Sequence, residues 1–137
     1  MSPIKTAINS DKAPPPREGV LNSAIVSGGF VFCSGQLARS PETGKMVEGD
    51  IQARTHQVIR NLAALLEAAG SHIDNVVKVN VFLADMKDFD QMNEVYKQYW
   101  GSVKPSRTCV AVKTLPGGTD VEIECVAAVG AGARAKL

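Results

Sequence analysis

The fold of this chain is decided by one stretch near its middle, Asp50-Ile-Gln-Ala-Arg-Thr-His-Gln-Val-Ile-Arg-Asn-Leu-Ala-Ala-Leu-Leu-Glu-Ala-Ala-Gly70. Its apolar residues recur at helical spacing. They are Ile51, Val58, Ile59, Leu62, Leu65, Leu66 and Ala69. Asp50 suits an N-cap, and Gly70 suits the position just past a helix end. The stretch therefore predicts an amphipathic helix with one face on a core.

Runs of β-forming residues flank this helix on both sides. The sequence predicts strands over 21–26, 30–34, 76–84, 108–114 and 121–129, and a second helix from its cap Asp88 to Gly101. Ser27-Gly28-Gly29 joins the first two strands as a hairpin. We expect Leu115-Pro116-Gly117-Gly118 to join the last two in the same way. The predicted order is β-β-α-β-α-β-β.

Two helices can cover only one face of a sheet of this size, so we expect an α+β sandwich with both helices on one face of a mixed sheet. The last strand carries apolar residues on both sides: Ile123, Cys125, Ala127 and Val129 on one, and Val126 and Ala128 beside Glu122 and Glu124 on the other. The second face therefore requires a partner, and we expect a homo-oligomer.

The length of 137 residues favours a single domain over 1–137, with an extended lead-in over 1–18 and a flexible tail over 130–137. Fifteen Lys and Arg against 14 Asp and Glu leave a net charge of +1, and 45% of the residues are hydrophobic. This composition excludes disordered, collagen-like and fibrous proteins. It also offers no excess of cations for binding a row of phosphates.

The cysteines and the chain ends bear on the compartment. Cys33, Cys109 and Cys125 contain no C-x-x-C pair, which favours reduced thiols inside a cell. The N-terminus lacks a signal peptide's apolar core, and no apolar stretch is long enough to span a membrane. The cytoplasm is therefore expected. Ala135-Lys136-Leu137 differs by one residue from the Ser-Lys-Leu peroxisomal address, so the peroxisome is an alternative.

Most of the chemically active residue types form no recognisable motif. His56 and His72 lack the spacing of metal ligands, so we expect them to be exposed or locally hydrogen-bonded. The glycine pairs lie in turns and do not form a phosphate-binding loop. Cys109 has no identifiable base nearby in sequence and is interpreted as an inert thiol.

One pair stands apart from these residues. Arg107 follows a rigid proline at the start of a predicted strand, and Glu122 lies on the next strand. Arginine can grip a carboxylate in two places, and a glutamate can orient a water molecule. A structural cross-strand pair between Arg107 and Glu122 explains the same residues equally well.

Six motifs extend this pattern over nearly the whole chain: Ser34-Gly35-Gln36, Asn75-Val-Val-Lys-Val-Asn-Val-Phe-Leu-Ala-Asp85, Phe89 with Asn93-Glu-Val-Tyr96, Lys104-Pro-Ser-Arg-Thr-Cys109, Leu115-Pro116 and Val121-Glu-Ile-Glu124. In order and spacing they resemble the RidA/YjgF family of enamine/imine deaminases, and its fungal members in particular. The resemblance implies a chorismate-mutase-like sandwich, assembled as a homotrimeric barrel with a ligand cleft at each subunit boundary.

The resemblance also implies an activity. Family members hydrolyse 2-aminoacrylate and 2-aminocrotonate, or their imine tautomers, to 2-oxo acids and ammonia. They need no cofactor, and pyridoxal-phosphate dehydratases release their substrates. Small 2-imino and 2-oxo acids are thus the expected ligands. Neither a membrane nor a nucleic acid is an expected partner.

By position, Arg107 takes the place of the family's carboxylate-binding arginine and Glu122 that of the glutamate that orients the water. The Cys109 backbone, Gly35 and Asn93 would line the cleft. The chain departs from the family at Leu21, which stands where a pocket tyrosine is usual. This change predicts a preference for bulkier or more hydrophobic 2-imino acids.

Two other functions stay open. One is an endoribonuclease that inhibits translation, an activity also attributed to the family, although neither the charge balance nor a histidine pair supports it. The other is a non-catalytic carboxylate-binding or chaperone-like protein, marked by Leu21. Such a protein would bind 2-oxobutyrate without turnover.

Overall fold

A computed structural model describes residues 3–130, and in this part of the chain one six-stranded sheet is packed with two α-helices. In chain order the elements are β1 Thr6–Ile8, β2 Ala24–Ser27, β3 Phe30–Gln36, α1 Ile51–Ala68, β4 Val76–Leu83, α2 Phe89–Tyr96, β5 Ser106–Ala111 and β6 Val121–Ala128. The predicted α+β class with a mixed sheet is confirmed. None of the described helices is long and apolar enough to cross a membrane.

The strand order in the sheet is β1-β2-β3-β6-β4-β5. β4 and β5 are parallel because the chain returns to the sheet through α2, and β6 runs antiparallel to both β3 and β4. The expected hairpin between the last two strands is therefore wrong. The turn at Pro116–Gly118 instead leads the chain past β4 to its other edge.

The helix α1 agrees closely with the prediction. The Asp50 carboxylate accepts a hydrogen bond of 2.9 Å from the Ala53 N–H, which satisfies one of the free donors of the first turn. The helix ends at Ala68, and Gly70 follows with a φ of 78°. Six of the seven residues of its apolar stripe are buried against β3 and β6, and Ala69, one residue past the helix end, is half-buried.

The second helix is shorter than predicted, and Asp88 makes no side-chain capping bond. The carboxylate of Asp85 caps instead, by accepting from the Lys87 N–H in the 3-10 turn Met86–Asp88. At the other end, the indole N–H of Trp100 donates to the Tyr96 carbonyl at 2.8 Å. This carbonyl is the one that the Trp100 amide would use in a continued helix, and Trp100 has a φ of 83°, which an α-helix does not accommodate.

The sequence analysis missed β1, which lies within the predicted extended lead-in. Three residues pair antiparallel with β2 at the edge of the sheet. A strand this short carries too little alternation to be recognised. The predicted tail begins at Gly130, and the tripeptide at 135–137 lies outside the described residues.

The two faces of the sheet differ, as predicted. The helix-covered face holds the core, with Val31, Cys33, Val79, Val81, Leu83, Val121, Ile123, Cys125 and Ala127 buried. On the opposite face Phe30, Phe32 and Val110 are 41%, 46% and 42% exposed, and no described segment of the chain covers them. A large apolar surface of this kind is typical of an interface.

Candidate functional site

The six candidate residues form two separate groups in one chain. Arg107 and Cys109 are register partners of buried Val79 and Val81, so both face the helices. Glu122 is the partner of Phe82, on the opposite face. We call Arg107, Asn93 and Cys109 the arginine patch. Glu122, Gly35 and Leu21 are the glutamate patch.

This placement overturns one of the two interpretations of Arg107 and Glu122. A structural cross-strand pair requires neighbouring strands, and β4 lies between β5 and β6. The two side chains also leave the sheet on opposite faces. Within one chain the charged groups therefore do not meet. Arg107 contacts α2 instead.

The Arg107 guanidinium is held by one face of α2. Its Nη1 donates to the Asn93 Oδ1 at 2.6 Å. The guanidinium carbon lies 4.6 Å from the centroid of the Tyr96 ring and 5.6 Å from that of Phe89. Stacking and a short hydrogen bond fix its orientation. Arginine has five N–H donors, and within residues 3–130 the others remain free for a ligand.

Burial shifts the pKa of two groups beside the Arg107 guanidinium, Tyr96 and Cys109. Burial raises the pKa of Tyr96 to about 12, although the positive charge of Arg107 lowers it. The ring is therefore a neutral platform for the guanidinium. Burial also raises the pKa of the Cys109 thiol, against the effect of Arg107. A protonated thiol is a poor nucleophile, which agrees with the interpretation of Cys109 as inert.

In the glutamate patch, Gly35 leaves room for a carboxylate. β3 shifts its register between Cys33 and Gln36, and Gly35 lies in this irregularity against Glu122. A Cβ at Gly35 would lie only 2.5 Å from the Glu122 Oε2, so any side chain there would displace the carboxylate. Burial raises the pKa of Glu122, and the negative charge of Glu124 raises it further. Such a carboxylate is a stronger base toward water.

Two members of the glutamate patch, Leu21 and Gly35, lie in the wall of an open groove. The Leu21 side chain is 46% exposed, so it is available to a ligand. The remaining wall residues are Pro14, Pro15, Pro16, Arg17, Ser23, Gln36, Leu37 and Arg39. The proline-rich lead-in thus forms one side of the groove, a role that its sequence did not indicate.

Sequence analysis also missed the aromatic support of Arg107. The sequence analysis gives Phe89 and Tyr96 no role beyond the motif that resembles the family. The signal was present in the spacing, because Phe89, Asn93 and Tyr96 share one helix face and place an amide between two rings. The expectation for the histidines is confirmed: the His56 Nδ1 lies 2.6 Å from the Tyr99 hydroxyl, and His72 accepts from the Asp74 N–H.

A family model described as Endoribonuclease L-PSP matches residues 11–129. The chain belongs to the RidA/YjgF family. The resemblance found in the motifs is thereby confirmed. The description of the family model names an enzyme, and it does not name the reaction that the motifs imply.

Three relatives show how closely this RidA/YjgF chain follows the family. A RutC family protein of Pyrococcus horikoshii is 46% identical over 90% of this chain and 98% of its own. Protein mmf1, mitochondrial, of Schizosaccharomyces pombe is 45% identical over 90% of this chain and 75% of its own. The crystal structure of E. coli TdcF with bound serine superposes with a TM-score of 0.85, at 34% identity over 91% of this chain and 99% of TdcF.

Proposed function

We propose that this protein hydrolyses reactive 2-imino acids, or their enamine tautomers, to 2-oxo acids and ammonia. One observation carries the proposal: the Arg107 guanidinium is oriented by Asn93 and Tyr96 and keeps donors free for a carboxylate. Every 2-imino acid carries a carboxylate. The serine bound to TdcF carries one too, which supports a ligand of this class for a relative.

We further propose that the working site joins two copies of the chain. Arg107 and Glu122 leave opposite faces of the sheet, so one ligand can meet both only across a subunit boundary. The uncovered face with Phe30, Phe32 and Val110 supplies the apolar surface for such a boundary. The resemblance to the family favours a homotrimer.

The proposed reaction needs few groups. Arg107 binds the substrate carboxylate through paired N–H donors and fixes the position of the C=N carbon. Glu122 accepts a proton from water as the water oxygen bonds to this carbon, and the C=N electron pair moves to the nitrogen, which takes a proton from solvent. In the carbinolamine that forms, protonated Glu122 returns its proton to the nitrogen and the hydroxyl proton passes to solvent. The C–N bond then breaks, the nitrogen leaves as ammonia, and a 2-oxo acid remains. One water is consumed for each ammonia released, and no electrons are transferred.

Leu21 supports a preference among these substrates. An exposed leucine in the groove wall offers apolar contact and no hydrogen bond. We therefore propose that imino acids with longer aliphatic side chains are better substrates than 2-aminoacrylate. Each additional buried methylene favours binding by about 0.8 kcal/mol.

The proposal is tested by the rate of 2-oxobutyrate formation from threonine with a pyridoxal-phosphate dehydratase, where imine hydrolysis limits the rate. Adding this protein is expected to accelerate product formation in proportion to its concentration. The control contains the dehydratase alone. Binding of 2-oxobutyrate by calorimetry without any acceleration would contradict the proposal and favour the non-catalytic alternative.

Gly35→Ala is expected to reduce kcat/KM by about 10- to 100-fold, because the new methyl displaces the Glu122 carboxylate and small misplacements are costly. The chain should still fold, since the methyl meets a flexible side chain and Gly35 does not have a positive φ. A double-mutant cycle provides the control. In a Glu122→Ala background, Gly35→Ala should have no further effect on kcat/KM. An equal loss in both backgrounds would refute this role.

The description of the family model favours a second candidate, cleavage of single-stranded RNA. It is tested on the same preparations with a labelled RNA. Cleavage that co-purifies with the protein through several columns would support it. If cleavage persists undiminished in Arg107→Ala, the arginine patch is not its site.

The compartment remains a prediction. Cytoplasm and peroxisome are the two compartments that the sequence favours. The name of the Schizosaccharomyces pombe relative adds the mitochondrion as a third.

A further inference from the structure

Two of the three cysteines face each other across neighbouring strands. Cys33 on β3 and Cys125 on β6 are direct register partners in an antiparallel pair. Both side chains point to the helix-covered face and are buried, at 6% and 3% exposure. Cys109 lies on β5, and β4 separates that strand from β6.

The backbone places this pair within reach of a disulfide. The Val129 N–H donates to the Gly29 carbonyl at 3.0 Å, and these residues continue the register of Cys33 and Cys125. Gly29 and Val129 are therefore a hydrogen-bonded pair, and every second pair along the two strands is of the same type. Cys33 and Cys125 form such a pair, so their Cα atoms are about 5.5 Å apart. Disulfides most often join Cα atoms that are about 5.5–6 Å apart.

The two thiols are neighbours on the buried face of the sheet. The neighbouring Cys33 thiol raises the pKa of Cys125 well above its usual range, and burial acts in the same direction. The Cys125 thiol is therefore protonated at neutral pH in large part, so its oxidation is slow compared with that of an exposed thiolate.

We propose that Cys33 and Cys125 form a reversible cross-strand disulfide when the protein meets a peroxide. One thiolate attacks a peroxide oxygen, the O–O bond breaks, and a sulfenic acid forms as water is released. The second sulfur then attacks the sulfenic sulfur, the S–S bond forms, and the sulfenic oxygen leaves as a second water. Two thiols lose two electrons in total, and one hydrogen peroxide is reduced to two waters.

The experiment treats the full-length folded protein with hydrogen peroxide for several hours. Remaining thiols are then labelled with N-ethylmaleimide in denaturant, and the intact mass is measured. The untreated chain is expected to take three labels, one for each cysteine. The oxidised chain is expected to take one label, on Cys109, and a thiol reductant should restore all three. A peptide digest should contain the Cys33–Cys125 crosslink.

Matched variants test whether the loss of labels depends on the Cys33–Cys125 pair. Cys109→Ser keeps the pair and should lose both of its labels at the wild-type rate. Cys33→Ser and Cys125→Ser each lack the pair, so each should still take two labels after peroxide treatment. Oxidation of the unfolded chain provides a further control, because loop closure then favours the nearer pair of Cys109 and Cys125.

Three results would overturn the proposal. The first is a folded wild-type protein that keeps all three labels while exposed thiols in the same tube are oxidised. The second is conversion of Cys33 or Cys125 to sulfinic or sulfonic acid without a crosslink. The third is a Cys109–Cys125 crosslink from the folded protein. Because Cys109→Ser leaves the core pair intact, these results remain decisive even if Cys33→Ser fails to fold.

Discussion

Arg107→Ala is expected to lower kcat/KM for imine hydrolysis by about 100- to 10,000-fold. The variant loses two charge-assisted hydrogen bonds to the substrate carboxylate, each worth about 1.5–3 kcal/mol. A loss of about 1.4 kcal/mol corresponds to one factor of ten. Arg107 is half-buried and is not a member of the hydrophobic core cluster, so the variant is expected to fold.

Two further variants test whether the planar guanidinium of Arg107, and not positive charge alone, is required. Arg107→Lys keeps the positive charge and loses the planar fork, so its activity should fall between those of the wild type and Arg107→Ala. Arg60→Ala removes an exposed arginine from α1 and should leave kcat/KM unchanged. The coupled dehydratase assay gives the rates, and sedimentation verifies that each variant has the wild-type assembly state. Wild-type activity in Arg107→Ala would remove this residue from the mechanism.

Phe32→Asp is expected to convert the proposed trimer to monomers and to abolish the proposed activity. Phe32 lies in the middle of the uncovered sheet face, opposite Val126. An aspartate there would place an unpaired charge in an apolar interface, at a cost of about 3–5 kcal/mol per copy. The activity should fall with the assembly, since in the proposed site Arg107 and Glu122 meet one ligand only across a subunit boundary.

The measurement is sedimentation at micromolar protein, together with the rate assay. Val103→Asp is the matched control, because Val103 is 82% exposed and lies outside the sheet. This variant should remain trimeric and active. A wild-type protein that sediments as a monomer, or a monomeric Phe32→Asp with full activity, would contradict the shared site.

Complementation tests the shared site directly. Arg107→Ala and Glu122→Ala should each retain only a small residual activity, since each lacks one half of every proposed site. If the two variants are unfolded together and refolded as random trimers, about a quarter of the boundaries combine an intact arginine with an intact glutamate. The mixture should regain activity in that proportion. No recovery from a mixture that is shown to form mixed trimers would mean that both residues act within one chain.

The sequence predicts the local elements of the fold. The helix α1 was predicted almost to the residue, because its period, cap and terminating glycine all lie within one segment. The two faces of β6 followed from simple alternation. Arg107 and Glu122 were found as candidate residues from their chemical types and from motifs that resemble the family.

The sequence does not predict how the strands are ordered in the sheet. The sequence suggested a hairpin of β5 and β6, whereas β6 lies between β3 and β4. Strand order depends on which sheet edge remains free after the α2 crossover and on which apolar faces pack together. A turn motif carries no information about either. This order puts Arg107 and Glu122 on opposite faces and sets Cys33 against Cys125, because both relations are made by residues far apart in the chain.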